Sequence, residues 1–191
     1  MGEFNWENEP YKWNLLTEGS LEVYVSDNTD FFQEPTTNKG ISTAPLFFKN
    51  IKGDFIAQVK VKPSFHSIYD GGGIMVYNNE KSWIKLCYEK TDIGCPTIVS
   101  VVTNNVSDDA NGVEIDKEHI YLKVIRKNNC FCLFYSEDIS NWHMVRYFQL
   151  KIPKNIKVGL EAQSPLGKGT KIIFTDFSIK EITVNNLRKG Y

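Results

Sequence analysis

The chain has 191 residues and a formal net charge of −1, from 22 basic and 23 acidic residues. Domains usually have about 100–200 residues, so we predict a single domain over residues 1–191. The balanced charge excludes the basic surface of a nucleic-acid-binding protein, and no apolar run approaches the ~18 residues of a membrane span.

The composition favours strands over helices. Val, Ile and Thr together number 43, against 4 Ala and 11 Leu. β-Branched side chains suit strands, whereas Ala and Leu are the strongest ordinary helix formers. Seventeen Asn and 13 Gly supply residues that tolerate positive φ at turns. The composition therefore excludes a helical bundle and predicts an all-β fold.

Apolar residues alternate with polar ones along much of the chain. In Asp54–Lys62, Phe55, Ala57, Val59 and Val61 share one face of a strand. Short strands without helical connections predict two packed antiparallel sheets, a sandwich or jelly roll. Besides Asp54–Lys62, the same pattern predicts strands at Leu21–Val25, Leu46–Lys49, Gly73–Tyr77, Ser82–Glu89, Thr97–Thr103, His119–Arg126, Cys130–Ser136, Met144–Leu150, Ile156–Gln163 and Lys171–Val184.

The segments between the strands contain turn residues. The pair Asn128-Asn129 separates two strand patterns and predicts a tight hairpin with positive φ. Asp27–Ala44 and Asn104–Lys117 are polar and weakly periodic, so we predict loops there.

The cysteines and histidines show no metal-binding spacing. Cys87, Cys95, Cys130 and Cys132 form no CxxC pair, and the three histidines are scattered. We therefore expect reduced, mostly buried thiols, no metal site and no cofactor.

The first residues do not look like a secretion signal. Met1–Tyr11 contains three Glu and lacks a basic start followed by an apolar stretch. We therefore expect a cytoplasmic protein.

One strand carries a candidate ligand surface. In Ser82–Glu89, Trp83, Lys85 and Glu89 share a face with Cys87, opposite the apolar face. An indole ring beside a cation and a carboxylate suits a sugar or another polar ligand. The alternative is an exposed Lys–Glu pair without a ligand, which contributes little.

A glycine run precedes another strand. Tyr69-Asp70-Gly71-Gly72-Gly73 lacks the Lys-Ser/Thr and the helix of a phosphate-binding loop. We expect a close backbone approach or a bulge, which would aim Tyr69 and Asp70 at whatever lies over the sheet.

Two groups of carboxylates suggest hydrolysis as an alternative. Glu114-Ile-Asp-Lys-Glu118 would place three carboxylates on one face if it formed a strand. Glu89 could also pair with Asp70 or Glu161, at a distance that only the fold decides.

Ten sequence blocks occur along the chain in the following order: Phe4–Pro10, Thr29–Phe32, Tyr69–Gly73, Trp83–Lys85 with Glu89, Ser100–Thr103, Ser107-Asp108, Arg126, Tyr135–Asp138 with Trp142, Arg146 and Ser164-Pro165. In this order they resemble the regulation-of-enolase-like family of proteins of unknown function, over nearly the whole chain. The departures from the family pattern are Gly72, Asp109 and Ile139.

The resemblance implies a jelly roll of the concanavalin A-like lectin/glucanase type, but no established reaction. It also implies which residues a curved, concave sheet would present to a ligand: Tyr69, Asp70, Trp83, Lys85 and Glu89, flanked by Thr103, Asp108 and Arg126. From the residues alone, Arg126 and Arg146 are better explained as structural partners of Glu89, Asp108 or Glu161, with contact to a ligand anion as the alternative.

Three functions remain open at this point. The first is non-catalytic binding of a carbohydrate or small polar metabolite, with no catalytic residue. The second is a glycoside hydrolase or lyase. The third is a cytosolic regulatory domain that binds a protein partner. We expect neither nucleic acid nor a membrane as partner, and the sequence does not indicate an oligomeric state.

Overall fold

A computed structural model describes residues 4–16 and 19–190. Residues 1–3, 17–18 and 191, which belong to the predicted 1–191 domain, lie outside the described residues. No helix in the described part of the chain could span a membrane. The strands of the described residues are, in chain order, β1 Asn5–Glu7, β2 Lys12–Leu15, β3 Leu21–Val25, β4 Phe31–Gln33, β5 Gly40–Ser42, β6 Leu46–Lys52, β7 Phe55–Pro63, β8 Gly71–Asn79, β9 Ser82–Lys90, β10 Pro96–Asn104, β11 Val106–Glu114, β12 Ile120–Lys127, β13 Cys130–Ser136, β14 His143–Gln149, β15 Asn155–Gln163 and β16 Thr170–Lys180.

Two seven-stranded antiparallel sheets form a sandwich. The first sheet has the order β1-β6-β15-β8-β9-β10-β11, and the second has the order β14-β13-β12-β7-β16-β3-β2. A separate two-stranded sheet consists of β4 and β5. The predicted all-β, two-sheet jelly-roll architecture is confirmed.

The alternation of side chains along the strands builds the core between the two sheets. Phe55, Ala57, Val59 and Val61 of β7 are all fully buried there, as predicted. Opposite them, β9 directs Ile84 and other apolar side chains into the same cluster. Each sheet therefore buries one face in the core and presents its other face outward.

All eleven predicted strands are present, and five further strands were not predicted: β1, β2, β4, β5 and β11. The expectation of a loop over Asn104–Lys117 is wrong, because β11 forms the edge of the first sheet there. Most of β11 is exposed and polar, so it carries none of the apolar alternation that identifies a strand. Asp27–Ala44 likewise contains the short strands β4 and β5.

The small sheet of β4 and β5, here called the covering hairpin, lies on the outer face of the first sheet. Phe31 is fully buried, with its ring centroid 5.5 Å from that of Tyr77 and 6.3 Å from that of Trp83. Trp83 is itself 0% exposed, and its indole N–H donates to the Glu80 carbonyl. The expectation that Trp83 offers an exposed aromatic plane is therefore wrong, because the covering hairpin buries it in a second apolar cluster.

Two glycines of β8 let the neighbouring strands approach closely. A Cβ at Gly71 would lie 2.4 Å from the Glu89 Cβ, and one at Gly73 would lie 1.9 Å from the Leu86 carbonyl oxygen. Neither position has room for a side chain. The predicted close backbone approach is confirmed, and it leaves a gap in the side-chain layer on the outer face.

The four thiols of the described residues are free. Cys87 and Cys132 are buried, and Cys95 and Cys130 are partly buried. On β13, the alternation places Cys132 on the outer side with Ile125 and Phe134. The thiols therefore act as small packing side chains, as expected.

We expect Phe31→Ala to destabilise the protein by about 3–5 kcal/mol, because it empties the fully buried contact of the covering hairpin on Trp83. The matched control is Phe32→Ala, since Phe32 is next in the chain but only partly buried, and we expect less than half that loss. Urea denaturation measures both free energies of unfolding. Equal losses would contradict the role assigned to Phe31.

Candidate functional site

A polar cavity of about 360 Å³ opens on the outer face of the first sheet, beside the covering hairpin. Its volume lies within the ~300–1,000 Å³ usual for small-molecule sites. Strands of the sheet form its floor, and two loops complete the wall. It is lined by Asp30, Phe32, Glu34, Tyr69, Lys85, Glu89, Val99, Val101, Asp109, Gln163, Pro165 and Leu166.

Strand β9 supplies the two central charged residues of the cavity. Its alternation sends Ile84, Leu86 and Tyr88 into the core, so Lys85 and Glu89 point outward. This assignment of faces agrees with the sequence analysis. Both residues are nevertheless more than nine-tenths buried, with 2% and 6% of their surface exposed, so they are not the exposed surface pair of the alternative interpretation.

The Lys85 ammonium joins three segments of the chain. It lies 3.1 Å from Asp30 Oδ1, 3.2 Å from the Phe31 carbonyl and 2.5 Å from Gln163 Oε1. Asp30 directly precedes β4, and Gln163 ends β15. The ammonium therefore ties the covering hairpin to the centre of the first sheet.

Gln163 and Cys87 extend this network to Glu89. The Gln163 amide donates to Glu89 Oε2 at 3.2 Å and to the Tyr69 carbonyl at 3.0 Å. The Cys87 thiol donates to the same Glu89 oxygen at 3.2 Å. These bonds position one carboxylate oxygen of Glu89 and leave Oε1 without a partner among the described residues.

Glu161 is a buried carboxyl on the same face of the sheet. It pairs across the sheet with Gly73, which in turn pairs with Cys87. Glu161 is 0% exposed, and neither of its carboxyl oxygens has a hydrogen-bond partner in the described chain. A buried carboxyl without partners costs free energy when ionised.

The protonation of these groups follows from their burial. Burial raises the pKa of Glu89 to about 7 and that of Glu161 to about 8, against the opposing charge of Lys85. For Lys85, burial alone lowers the pKa, but the carboxylates led by Asp30 reverse the effect and raise it above its ordinary value. The cavity therefore holds the permanent cation of Lys85 beside Glu89, whose carboxyl titrates near neutrality, and Glu161 lies on the same face outside the lining.

Two residues of the glycine-run segment have different roles. Tyr69 lines the cavity, and its backbone has a positive φ of 67°. Asp70 is 0% exposed and outside the lining. It accepts backbone N–H bonds from His66 and Ser67 and the hydroxyl of Ser164. Asp70 thus holds the loop that presents Tyr69.

Thr103 and Asp108 lie away from the cavity. Thr103 is 0% exposed and its hydroxyl lies 2.8 Å from that of Ser107, which accepts the Gln33 backbone N–H of the covering hairpin. The Asp108 carboxylate forms a 2.9 Å ion pair with Arg146, on β14 of the second sheet. Asp109, one residue later, points to the opposite side and lines the cavity. The structure therefore places Asp109 at the cavity and leaves the predicted Asp108 outside it.

Arg126 lies on β12 in the second sheet, so it does not flank the candidate surface. Its guanidinium is buried and donates to backbone carbonyls of Asn128, Ile152, Pro153 and Lys154. This network holds two turns together. Arg126 therefore has a structural role, but its partners are backbone carbonyls and not the acidic side chain that the sequence analysis suggested.

The two carboxylate groups proposed for hydrolysis differ in outcome. Glu114 ends β11, and Asp116 and Glu118 follow in an exposed segment, where Glu118 pairs with Lys62. These three do not share a strand face. Glu89 and Glu161 do lie on one face and influence each other's charge, whereas Asp70 is occupied in the neighbouring loop.

Several cavity residues were not predicted. Asp30, Phe32 and Glu34 come from a segment expected to be a loop, and Gln163 ends a predicted strand. The block Thr29–Phe32 was noted only for its family resemblance. No local pattern indicates that this segment folds over β9, because the contact spans 55 residues of sequence.

A second groove of about 560 Å³ lies at the edge of the second sheet, near Lys127, Tyr147 and Arg188. Lys127 there donates to the carbonyl of Val184. None of the predicted ligand residues lines this groove.

Comparison with known proteins agrees with the resemblance seen in the sequence. A family model described as "Protein of unknown function (DUF1349)" matches residues 6–182. The Saccharomyces cerevisiae protein named "Regulation of enolase protein 1" is 29% identical over 182 residues, which cover 94% of this chain and 90% of that protein. A crystal structure of a functionally unknown protein from the same yeast has a TM-score of 0.89 at 26% identity, over 96% of this chain and 98% of that one.

More distant structures share the fold. The GH43 BlXynB protein of Bacillus licheniformis has a TM-score of 0.71 at 15% identity, over 91% of this chain but only 35% of that one. The carbohydrate binding module CBM66 of Bacillus subtilis has a TM-score of 0.59 at 13% identity, over 93% and 96% of the two chains. These similarities establish the β-sandwich fold alone.

We expect Glu161→Gln to stabilise the protein increasingly as the pH rises. Because the folded-state pKa of Glu161 is raised from 4.5 to about 8, the native protein loses stability as the pH increases through this interval. The gain from the substitution should therefore grow by about 1–3 kcal/mol between pH 5.5 and 8.5.

Urea denaturation at the two pH values measures this change. The matched control is Glu80→Gln, which alters an exposed carboxyl and should show no such growth. A gain from Glu161→Gln that is the same at both pH values would contradict the assignment.

Proposed function

The chain belongs to the DUF1349 family of proteins of unknown function, and from that premise we propose that it binds a carbohydrate or another small polar metabolite without catalysis. The observation that carries this proposal is the polar cavity, in which Lys85, Gln163 and Glu89 are held in one hydrogen-bond network. Because the polar groups of such a site are fixed before the ligand arrives, ordering them costs little of the free energy of binding.

The walls of the cavity suit a polyhydroxylated ligand. Val99, Val101 and Leu166 offer apolar surface for the C–H face of a ring, beside the ring of Tyr69. Carboxyl oxygens of Asp109 and Glu89 supply acceptors for hydroxyl groups. A carbohydrate binding module is among the proteins with this fold, which supports the ligand class without assigning it.

One observation favours hydrolysis as a second candidate. Glu89 lines the cavity, and burial raises its pKa to about 7, which suits a general acid at neutral pH. Hydrolysis also requires a second carboxyl, for which Asp109 is the lining candidate.

The protein-interaction function is the third candidate. It draws on the name of the yeast relative, which refers to regulation of enolase. This candidate function includes the cytoplasmic location that the sequence analysis predicts. A partner protein that competes with small ligands for the cavity would support it.

Ligand binding is tested by screening sugars and polar metabolites with a glycan array and a thermal-shift assay, followed by calorimetry of the ligands found. We expect Tyr69→Ala to weaken binding at least ~10-fold, because it removes an accessible wall of the cavity. The matched control is Tyr147→Ala, which alters the second groove and should keep the affinity. If Tyr69→Ala keeps the affinity and Tyr147→Ala loses it, the ligand binds in the second groove and the proposal for the polar cavity is wrong.

Catalysis is tested by incubating the protein with aryl glycosides and β-glucans. We expect no product. Product that is formed by the native protein, is lost in Glu89→Gln and is retained in Glu118→Gln would replace the binding proposal by hydrolysis. Glu118 is the control because it is an exposed carboxylate outside the cavity.

A further inference from the structure

The polar cavity is rich in acceptors and acidic charge. Four carboxyl side chains line it, against the single ammonium of Lys85. The carboxyl groups come from three different segments of the chain: Asp30 and Glu34 flank β4, Glu89 lies on β9 and Asp109 on β11. Their convergence gives the cavity a negative potential that favours a positively charged ligand.

The nitrogen donors of Lys85 and Gln163, which line the cavity, are already used by the protein. An ammonium has three N–H donors, and those of Lys85 reach Asp30, the Phe31 carbonyl and Gln163. An amide has two, and those of Gln163 reach the Tyr69 carbonyl and Glu89. Neither side chain has a donor left for a ligand, so Lys85 is not a free anion-binding group.

Acceptor atoms, by contrast, are left over. Asp30 uses Oδ1 for both of its hydrogen bonds, and Glu89 uses only Oε2. Asp30 Oδ2 and Glu89 Oε1 accept no hydrogen bond from the described residues. A ligand that fills this cavity must therefore bring donors.

Glu161 adds a further acidic side chain on the same face of the sheet, outside the cavity lining. Its two unpartnered oxygens are completely buried on the face that carries Lys85 and Glu89. Gly73, between Glu161 and Cys87, contributes no side chain to shield them. Lys85 is shared among several carboxyl groups, so the cluster as a whole carries more acidic groups than cations.

The remaining walls indicate an organic cation rather than a bare ion. Phe32, Val99, Val101 and Leu166 are apolar and fit a carbon skeleton, and the volume of about 360 Å³ is far larger than one ion.

From this balance of donors, acceptors and charge, we propose that the cavity binds a small hydroxylated amine, such as an amino sugar, with its ammonium group facing the carboxylates of Asp109 and Asp30. This inference rests on the proposed binding function and narrows its ligand class to cations.

Calorimetry with three matched probes tests the inference: glucosamine, glucose and N-acetylglucosamine. The first is positively charged when its amine is protonated, and the other two are neutral. At pH 6.5 and low salt we expect glucosamine to bind at least ~10-fold more tightly than either neutral sugar, with the preference reduced at higher ionic strength because exposed charges are screened.

Two neighbouring carboxylates provide the matched variants. Asp109→Asn removes a charge that lines the cavity and should reduce the preference for glucosamine at least ~5-fold. Asp108→Asn removes a charge on the adjacent residue, which faces Arg146 outside the cavity, and should leave the preference unchanged.

Other outcomes separate the two proposals. If neutral sugars bind as tightly as glucosamine and depend on Tyr69, the cavity binds polyols and the cationic inference is wrong. If calcium chloride alone binds and displaces glucosamine, the site is a metal site and the inference is also wrong. If none of the three sugars binds and the wider ligand screen finds nothing, the inference and the proposed function both fail.

Discussion

The buried ammonium of Lys85 is the interaction on which the outer face of the first sheet depends. Removing an ammonium from water costs several kcal/mol unless other groups replace its hydration. Here Asp30, the Phe31 carbonyl and Gln163 do so. Phe31 belongs to the covering hairpin and Asp30 directly precedes it, so the groups that replace the hydration of the ammonium also hold the hairpin on the sheet.

The covering hairpin separates two environments on one face of the sheet. On one side of Lys85, Phe31 seals Trp83 and Tyr77 into an apolar cluster. On the other side, Glu89 and Gln163 remain open to the polar cavity. The same short segment therefore explains why the aromatic residue of β9 is structural and why its charged neighbours form the candidate site.

Residues that alternate with clear periodicity were predicted correctly, because a strand's two faces follow from local geometry alone. The outward direction of Lys85 and Glu89 is one example. The close packing at Gly71 and Gly73 was predicted from a different signal, the run of three glycines. The assignment failed where no periodicity was present. β11 has an exposed polar sequence, so nothing local showed that Asp109 rather than Asp108 turns toward the cavity.

Long-range contacts account for the other errors. Arg126 looked as available to a ligand as Lys85 did, since both are cations in predicted strands. They lie in different sheets, and Arg126 is occupied by backbone carbonyls near residues 128 and 154. The sheet to which a strand belongs depends on the order of pairing, which local sequence does not encode.

Composition and alternation by themselves determined an all-β sandwich, its eleven principal strands and the inward or outward direction of their side chains. These properties depend on backbone preference and on a two-residue period, both of which are local. Only the tertiary structure decided that Asp27–Ala44 folds back over β9, burying Trp83 and assembling the polar cavity. This arrangement depends on contacts between residues more than fifty positions apart, in which Asp30, Phe31 and Gln163 bind the buried ammonium of Lys85.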